Sequence, residues 1–224
     1  MIAIAIDGPA GAGKSTLARR LSKHLEFIYV DTGALYRAIG LKLIRNNVSC
    51  DDIKSVKEIL ASTELDIRFE DGEQKVFLDG ENVNGFIRTP EVSMMASDCS
   101  ALPEVREFLL DMQRLLAKKN SVVMDGRDIG TVVLPDAKVK IFLTASAKAR
   151  AERRYKELIE KGQTVNFYDV LADIETRDYN DSHRAIAPLK QAEGATLVDT
   201  TELDLDESFE LLLKTVKEKM EGEN

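Results

Sequence analysis

Cysteine, histidine and positive charge are all scarce in this chain, and each scarcity closes off a class of function. Two cysteines, Cys50 and Cys99, among 224 residues cannot build the disulfide framework of a small secreted domain, and they point to a reducing, cytoplasmic setting. The two histidines, His24 and His183, have no metal-ligand spacing. Lys+Arg number 31 against 39 Asp+Glu, a net charge of −8. Neither nucleic acid nor an anionic membrane is therefore expected as the main partner, and any basic site must be local. No apolar run approaches membrane-spanning length. The first apolar run lacks a basic lead and meets Asp7 too early for a signal sequence. There is no internal repeat and no low-complexity run. With 44% hydrophobic residues, one α/β domain over residues 1–224 is expected, as a monomer.

What is present is concentrated at the start. Met1-Ile2-Ala3-Ile4-Ala5-Ile6 reads as a short buried strand that must stop at Asp7-Gly8-Pro9. Gly8-Pro9-Ala10-Gly11-Ala12-Gly13-Lys14-Ser15, followed by Thr16, fits G-x-x-x-x-G-K-[ST] between that strand and a helical pattern. This is the signature of a P-loop, whose backbone N–H groups converge on phosphate oxygens at a helix N-terminus. Lys14 would reach the β- and γ-phosphates of ATP, and the Ser15 hydroxyl would coordinate Mg²⁺.

The remaining pattern alternates strands and helices, predicting an α/β fold with a central parallel sheet flanked by helices. A helix carries Leu17, Leu21 and Leu25 on one stripe; a strand follows at Phe27–Val30; the next helix is capped by Asp31 or Thr32. Thr32, Tyr36 and Arg37 stand at the carboxyl end of a strand, where open α/β sheets bind ligands. From Leu65 the period changes to two, and Asp71-Gly72 supplies a hairpin turn, so residues of about 63–88 are expected as a small antiparallel insert. Thr89-Pro90-Glu91 opens a helix in which Met94 and Met95 read as core filling. The strand Ser121-Val122-Val123-Met124 ends on Asp125-Gly126-Arg127-Asp128, where Arg127 could hold a phosphate and Asp125 face the metal; an ordinary Asp-Gly turn is the plainer alternative. Two helices over about 147–186 carry Lys148, Arg150, Arg153, Arg154, Arg177 and Arg184, and look like a lid closing over phosphates, although Glu152, Glu157 and Glu160 also fit a solvated helix pair. Thr196–Asp199 is the last strand, and Asp204 with Glu207 forms a capping box for a final helix.

Four strings carry a resemblance to the bacterial cytidylate kinases, a family of nucleoside monophosphate kinases, along nearly the whole chain. They are Ile6–Thr16, Asp31-Thr32-Gly33-Ala34-Leu35-Tyr36-Arg37, Asp125–Val133 and Arg184-Ala185-Ile186-Ala187-Pro188-Leu189. The first is common to many NTPases; the other three, in this order, are specific to the family. The resemblance implies a P-loop kinase fold whose antiparallel insert binds the nucleoside monophosphate under a helical lid. It also implies Mg²⁺-dependent transfer of the ATP γ-phosphoryl group to CMP or dCMP. On it, Thr32, Ser97, Arg106 and Asp128 line the cytidine pocket, Arg177 and Asp181 address the sugar, and Arg37, Arg127 and Arg184 hold the acceptor phosphate. Catalysis would fall to Lys14, Arg127 and the lid arginines Arg150, Arg153, Arg154 and Arg184. Thr32 stands where serine is usual and Ser15 where some relatives have glycine; both keep or add a hydroxyl. A kinase for another small acceptor, such as AMP, UMP or shikimate, and a nucleotide-dependent switch are the rival readings.

Overall fold

Strand β1 (Ala3–Asp7) sits in the middle of a five-stranded sheet because the chain returns to both its sides. In the computed structural model, which describes residues 1–70 and 72–222, the strand order is β2 (Ile28–Asp31), β6 (Val122–Gly126), β1, β7 (Val139–Thr144) and β8 (Thr196–Asp199), all parallel. Parallel neighbours need crossover helices, and those helices cover both faces, so the strands read as continuous apolar runs. Ile4 and Ile6 point to one face, where α1 (Lys14–Leu25) and α8 (Leu205–Glu221) bury Leu17, Leu21, Phe209 and Leu212 against them. Ala5 points to the other, packed with Val30, Met124 and Ile129.

A second apolar layer lies beyond β2. Helices α2 (Thr32–Arg45), α3 (Ile53–Ala61), α4 (Pro90–Cys99) and α5 (Pro103–Lys119) enclose Leu35, Ile39, Val56, Ile87 and Leu109. The antiparallel sheet of β3 (Leu65–Glu70), β4 (Glu73–Leu78) and β5 (Glu81–Asn82) joins that layer through Val76 and Leu78. Of the expected hairpin turn, Gly72 adopts φ +75°, as such a turn requires, and Asp71 lies outside the described residues. Gln74 docks the insert on the main sheet: its Oε1 accepts from the Asp31 N–H at 2.9 Å and its Nε2 donates to the Asp31 carbonyl at 3.2 Å. Helices α6 (Ala147–Glu160) and α7 (Phe167–His183) form a hairpin with a small core of their own around Ala151, Val170 and Ile174.

Local chemistry explains most of the boundaries. Asp31 caps α2, so Thr32 is the first helical residue; Thr89 caps α4 with Pro90 in its first turn; Asp204 and Glu207 make the reciprocal capping box of α8. One expectation fails. Met94 is 63% exposed, because the buried stripe of α4 runs through Val92, Ala96 and Cys99 and residue 94 falls on the opposite side of the helix; Met95 alone packs against the core. The segment after Asp128, to which sequence pattern assigns no element, is a π-helical turn over Ile129–Val133. The Val133 N–H reaches the Asp128 carbonyl at 3.2 Å and the Leu134 N–H reaches Ile129 at 2.7 Å, bonds that skip five residues, a form that recurs at functional sites.

Candidate active site

The carboxyl ends of β1, β2, β6 and β7 converge, as open parallel sheets dictate for a ligand crevice. Gly8 opens the loop at φ +152°, and a Cβ there would stand 1.9 Å from the Leu143 carbonyl oxygen. Only glycine fits this approach to β7. The loop feeds α1 through Gly13, whose N-cap position carries no side-chain cap, so no side chain competes with a phosphate for the first amides. Lys14 is buried and its Nζ donates to the Pro9 carbonyl at 2.7 Å. Burial, and next the positive Arg127, lower its pKa, so an anion beside it would favour its charged ammonium form.

Ser15 Oγ donates to Asp125 Oδ2 at 2.9 Å, and the Tyr29 hydroxyl donates to Asp125 Oδ1, also at 2.9 Å. Burial, followed by the charge of Asp31, raises the pKa of Asp125. A hydroxyl and a carboxylate beside a phosphate loop are the hard oxygen donors that suit Mg²⁺, which takes few protein ligands and completes its shell with phosphate and water. Arg150 is buried behind the loop. Its Nη1 donates to the Ala10 carbonyl at 2.8 Å, its Nε to the Ala145 carbonyl at 2.8 Å, and its fork grips Asp178 of α7 at 2.5 and 3.1 Å. The helical hairpin is thus pinned to the phosphate loop by one guanidinium.

On the far side of β6, Asp128 is buried in an ion pair with Arg106 and lies 3.7 Å from Arg184. Burial raises its pKa, opposed first by Arg106 and then by Arg184. Arg106 is held by the Ser100 carbonyl at 3.0 Å, with Cζ 5.7 Å from the centroid of the half-buried Tyr36 ring. Arg184 is fixed by Nε to the Ala187 carbonyl at 2.7 Å, while its Nη2 is buried without a hydrogen-bond partner. A second group shares Asp31, with Arg37 at 2.9 Å and Arg88 at 3.4 Å; the buried Arg37 Nε also has no hydrogen-bond partner. Arg127 pairs with Asp181 at 2.7 Å. Around Asp128 and around Asp31 two guanidinium groups face one carboxylate, an excess of donors that suits a site for an anion.

Not every residue singled out from the sequence reaches this crevice. Thr32 stands at the crevice, its hydroxyl donating to the Asp125 carbonyl at 2.8 Å, whereas Ser97 is half-buried on α4 and Arg177 is exposed on α7. Arg153 is tied by Nη1 to Thr200 Oγ1 at 3.2 Å and by Nη2 to the Leu203 carbonyl at 3.2 Å, bracing α6 against the loop after β8. Arg154 makes an exposed i,i+3 pair with Glu157. Arg153 and Arg154 follow Arg150 by three and four residues, the spacing that shares a helix face, yet they lie to either side of it and meet different neighbours, so of the three Arg150 is the one bonded to the phosphate loop. Asp7, Tyr29, Arg88, Ser100 and Asp178 are the contributors that pattern reading passed over. Arg88 alone carried a signal, as a basic residue beside the buried Ile87.

The family model for cytidylate kinase matches residues 4–218. The chain belongs to the cytidylate kinase family. A cytidylate kinase of Caldicellulosiruptor bescii is 54% identical over 223 residues, covering 98% of this chain and 99% of that protein. One of Carboxydothermus hydrogenoformans is 50% identical, covering 96% and 97%. Membership at this extent makes the protein a nucleoside monophosphate kinase, a phosphotransferase. A gluconokinase from Sinorhizobium meliloti shares the fold at a TM-score of 0.52 and 13% identity, over 99% of this chain and 94% of that one. In the cytidylate kinase chain itself, no helix among the described residues is long and apolar enough to cross a membrane.

Proposed function

We propose that the protein transfers the γ-phosphoryl group of ATP to CMP or dCMP with Mg²⁺, giving CDP or dCDP and ADP, as a cytoplasmic monomer. The observation that carries this reading is the buried pair of Asp128 with Arg106 at the end of β6. Cytosine presents an N4 amine as donor and N3 and O2 as acceptors, complementary to a carboxylate beside a guanidinium. Uracil reverses two of those groups, and a buried polar site facing the wrong pattern leaves them unpaired.

The acceptor phosphate is held in this scheme by Arg37, Arg127 and Arg184, with Arg88 beside Arg37 and Asp181 orienting Arg127. The loop amides from Gly8 to Thr16 and the Lys14 ammonium hold the donor phosphates. Ser15 and Asp125, already in contact, would hold Mg²⁺, which when bound spreads the charge of the β- and γ-phosphates. No general base is required, since the attacking phosphate oxygen is an anion at neutral pH. Catalysis is then alignment of two phosphates between fixed cations. Arg150 acts on the loop through the Ala10 carbonyl. Ser97 and Arg177 reach cytidine and sugar, and Arg153 and Arg154 reach phosphate, only if the helical hairpin and α4 move on binding. Lid closure would exclude water, which would otherwise compete as acceptor.

The test is ADP release across CMP, dCMP, UMP, AMP and shikimate, with and without Mg²⁺. CMP-stimulated, Mg²⁺-dependent release of ADP with formation of CDP is expected. ADP release indifferent to any acceptor would instead support a nucleotide-dependent switch.

A further inference from the structure

Asp7 is a buried carboxylate that the chemistry above leaves unused. It ends β1, one residue before the phosphate loop, yet it reaches across to the acceptor side. Its Oδ1 accepts from the Ile129 N–H and its Oδ2 from the Gly130 N–H, both at 2.7 Å. These are the first two amides of the π-helical turn whose N-cap residue is Asp128, at φ −146° and ψ 27°.

Aspartate in an N-cap position ordinarily folds its own carboxylate back onto the amides of the first turn. Asp128 does not: it makes no side-chain cap, and its carboxylate is turned to Arg106 and Arg184. The amides it would have taken are occupied by a carboxylate more than a hundred residues away in the chain. We infer that Asp7 is a specificity-positioning residue, a cap supplied from β1 that leaves the Asp128 carboxylate free to face the cytosine base. This rests on the reading of Asp128 as the base-recognising group. It adds a role for the strand that feeds the donor loop: the same five residues that launch the P-loop also set the base pocket.

Without Asp7 the first-turn amides would be buried and unpaired, and Asp128, as the N-cap residue of that turn, is the residue whose carboxylate would ordinarily turn back to satisfy them. The Asp7→Ala protein is therefore expected to lose base discrimination rather than donor binding. Measured by ADP release, its KM for CMP rises about tenfold or more, its preference for CMP over UMP shrinks by a similar factor, and its KM for ATP stays within about twofold. Asp7→Asn, which keeps one acceptor oxygen, falls between. The deciding readout is a double-mutant cycle with Asp128→Ala, because a cap that acts through Asp128 has nothing left to orient once Asp128 is gone. Asp7→Ala on that background should change the CMP:UMP ratio less than about twofold.

Additive losses, or equal rises in KM for CMP, UMP and ATP, would overturn the inference. Failure of the wild-type protein to convert CMP would overturn the proposed function instead, and the inference with it. Should the Asp7 variants not fold, Gly130→Ala approaches the same contact from the other side. Its Cβ would meet Asp7 Oδ2 at 3.4 Å, an ordinary contact, but Ala192 Cβ at 3.2 Å, tight enough to shift the turn slightly against its cap and raise KM for CMP in the same selective way. An unchanged CMP:UMP ratio in that folded variant would likewise defeat the idea.

Discussion

On the proposed reading the crevice has a donor end and an acceptor end, built by opposite strategies. The donor end is one contiguous string, Gly8 to Thr16, in which backbone amides form the binding surface and few side chains take part. The acceptor end is assembled from Asp31 and Arg37, Arg88, Arg106, Arg127 and Asp128, and Asp181 and Arg184, joined through ion pairs. A triphosphate offers the same oxygens whatever its base, so a fixed amide nest suffices for it. A nucleobase must be told from its isosteres, and that takes side-chain donors and acceptors in register. The donor end is therefore local and rigid, while the acceptor end depends on the whole fold to hold its charges at their stations.

This contrast can be broken or sharpened by substitution. The largest effect is expected from Lys14→Ala, which removes the buried side-chain cation of the phosphate loop. Turnover should fall by about 10³-fold or more, with thermal unfolding little changed because an expensive buried charge is removed as well. Near-normal activity would break the assignment of the donor end. Asp128→Ala comes next. It should cost about 10²-fold in kcat/KM for CMP and erase most of the preference over UMP, while KM for ATP moves little. It should also lower stability, since Arg106 and Arg184 lose their partner in a buried setting. Equal losses with CMP and UMP would show that the carboxylate holds the site together without reading the base.

A smaller effect concerns pH. Burial pushes the Asp7 carboxyl up to about 6 against the pull of its two N–H bonds. The folded chain then holds that proton more tightly than the unfolded one, so its contribution to stability is full below the unfolded value of 3.8 and falls away as pH rises through about 6. The melting temperature of the wild-type protein, measured against Asp7→Asn, should gain a few degrees as pH is lowered from 7 to 5, given that about 1 kcal/mol moves a domain of this size by about 2–4 °C. A constant difference across that range would mean the carboxyl is not raised. The smallest effect is expected from Arg154→Ala. Its exposed pair with Glu157 contributes less than about 0.5 kcal/mol. A tenfold loss in kcat with that stability unchanged would show that α6 swings this arginine onto the phosphates during turnover.

How far the sequence could be read follows the same division. The phosphate loop, the alternation of strands and helices, and the caps at Asp31, Thr89 and Asp204 were all legible, because each rests on interactions within a few residues of chain. The period-two stretch from Leu65 announced an antiparallel insert, though its two-residue third strand was too short to leave a pattern. Helical spacing alone did not sort the arginines. Arg150 braces the phosphate loop and Arg153 the loop after β8, and the difference depends on which neighbour packs against each face of α6.

By itself the sequence determined where phosphate would be bound, since an amide nest needs only glycines in the right order and a helix to follow. Only the tertiary structure decided how Asp128 would point. The capping of its turn by Asp7, the clasp of Asp31 by Gln74 and the pinning of α7 by Arg150 each join segments tens to more than a hundred residues apart. Contacts of that kind exist only once the sheet has brought the strand ends together, and no local periodicity can record them.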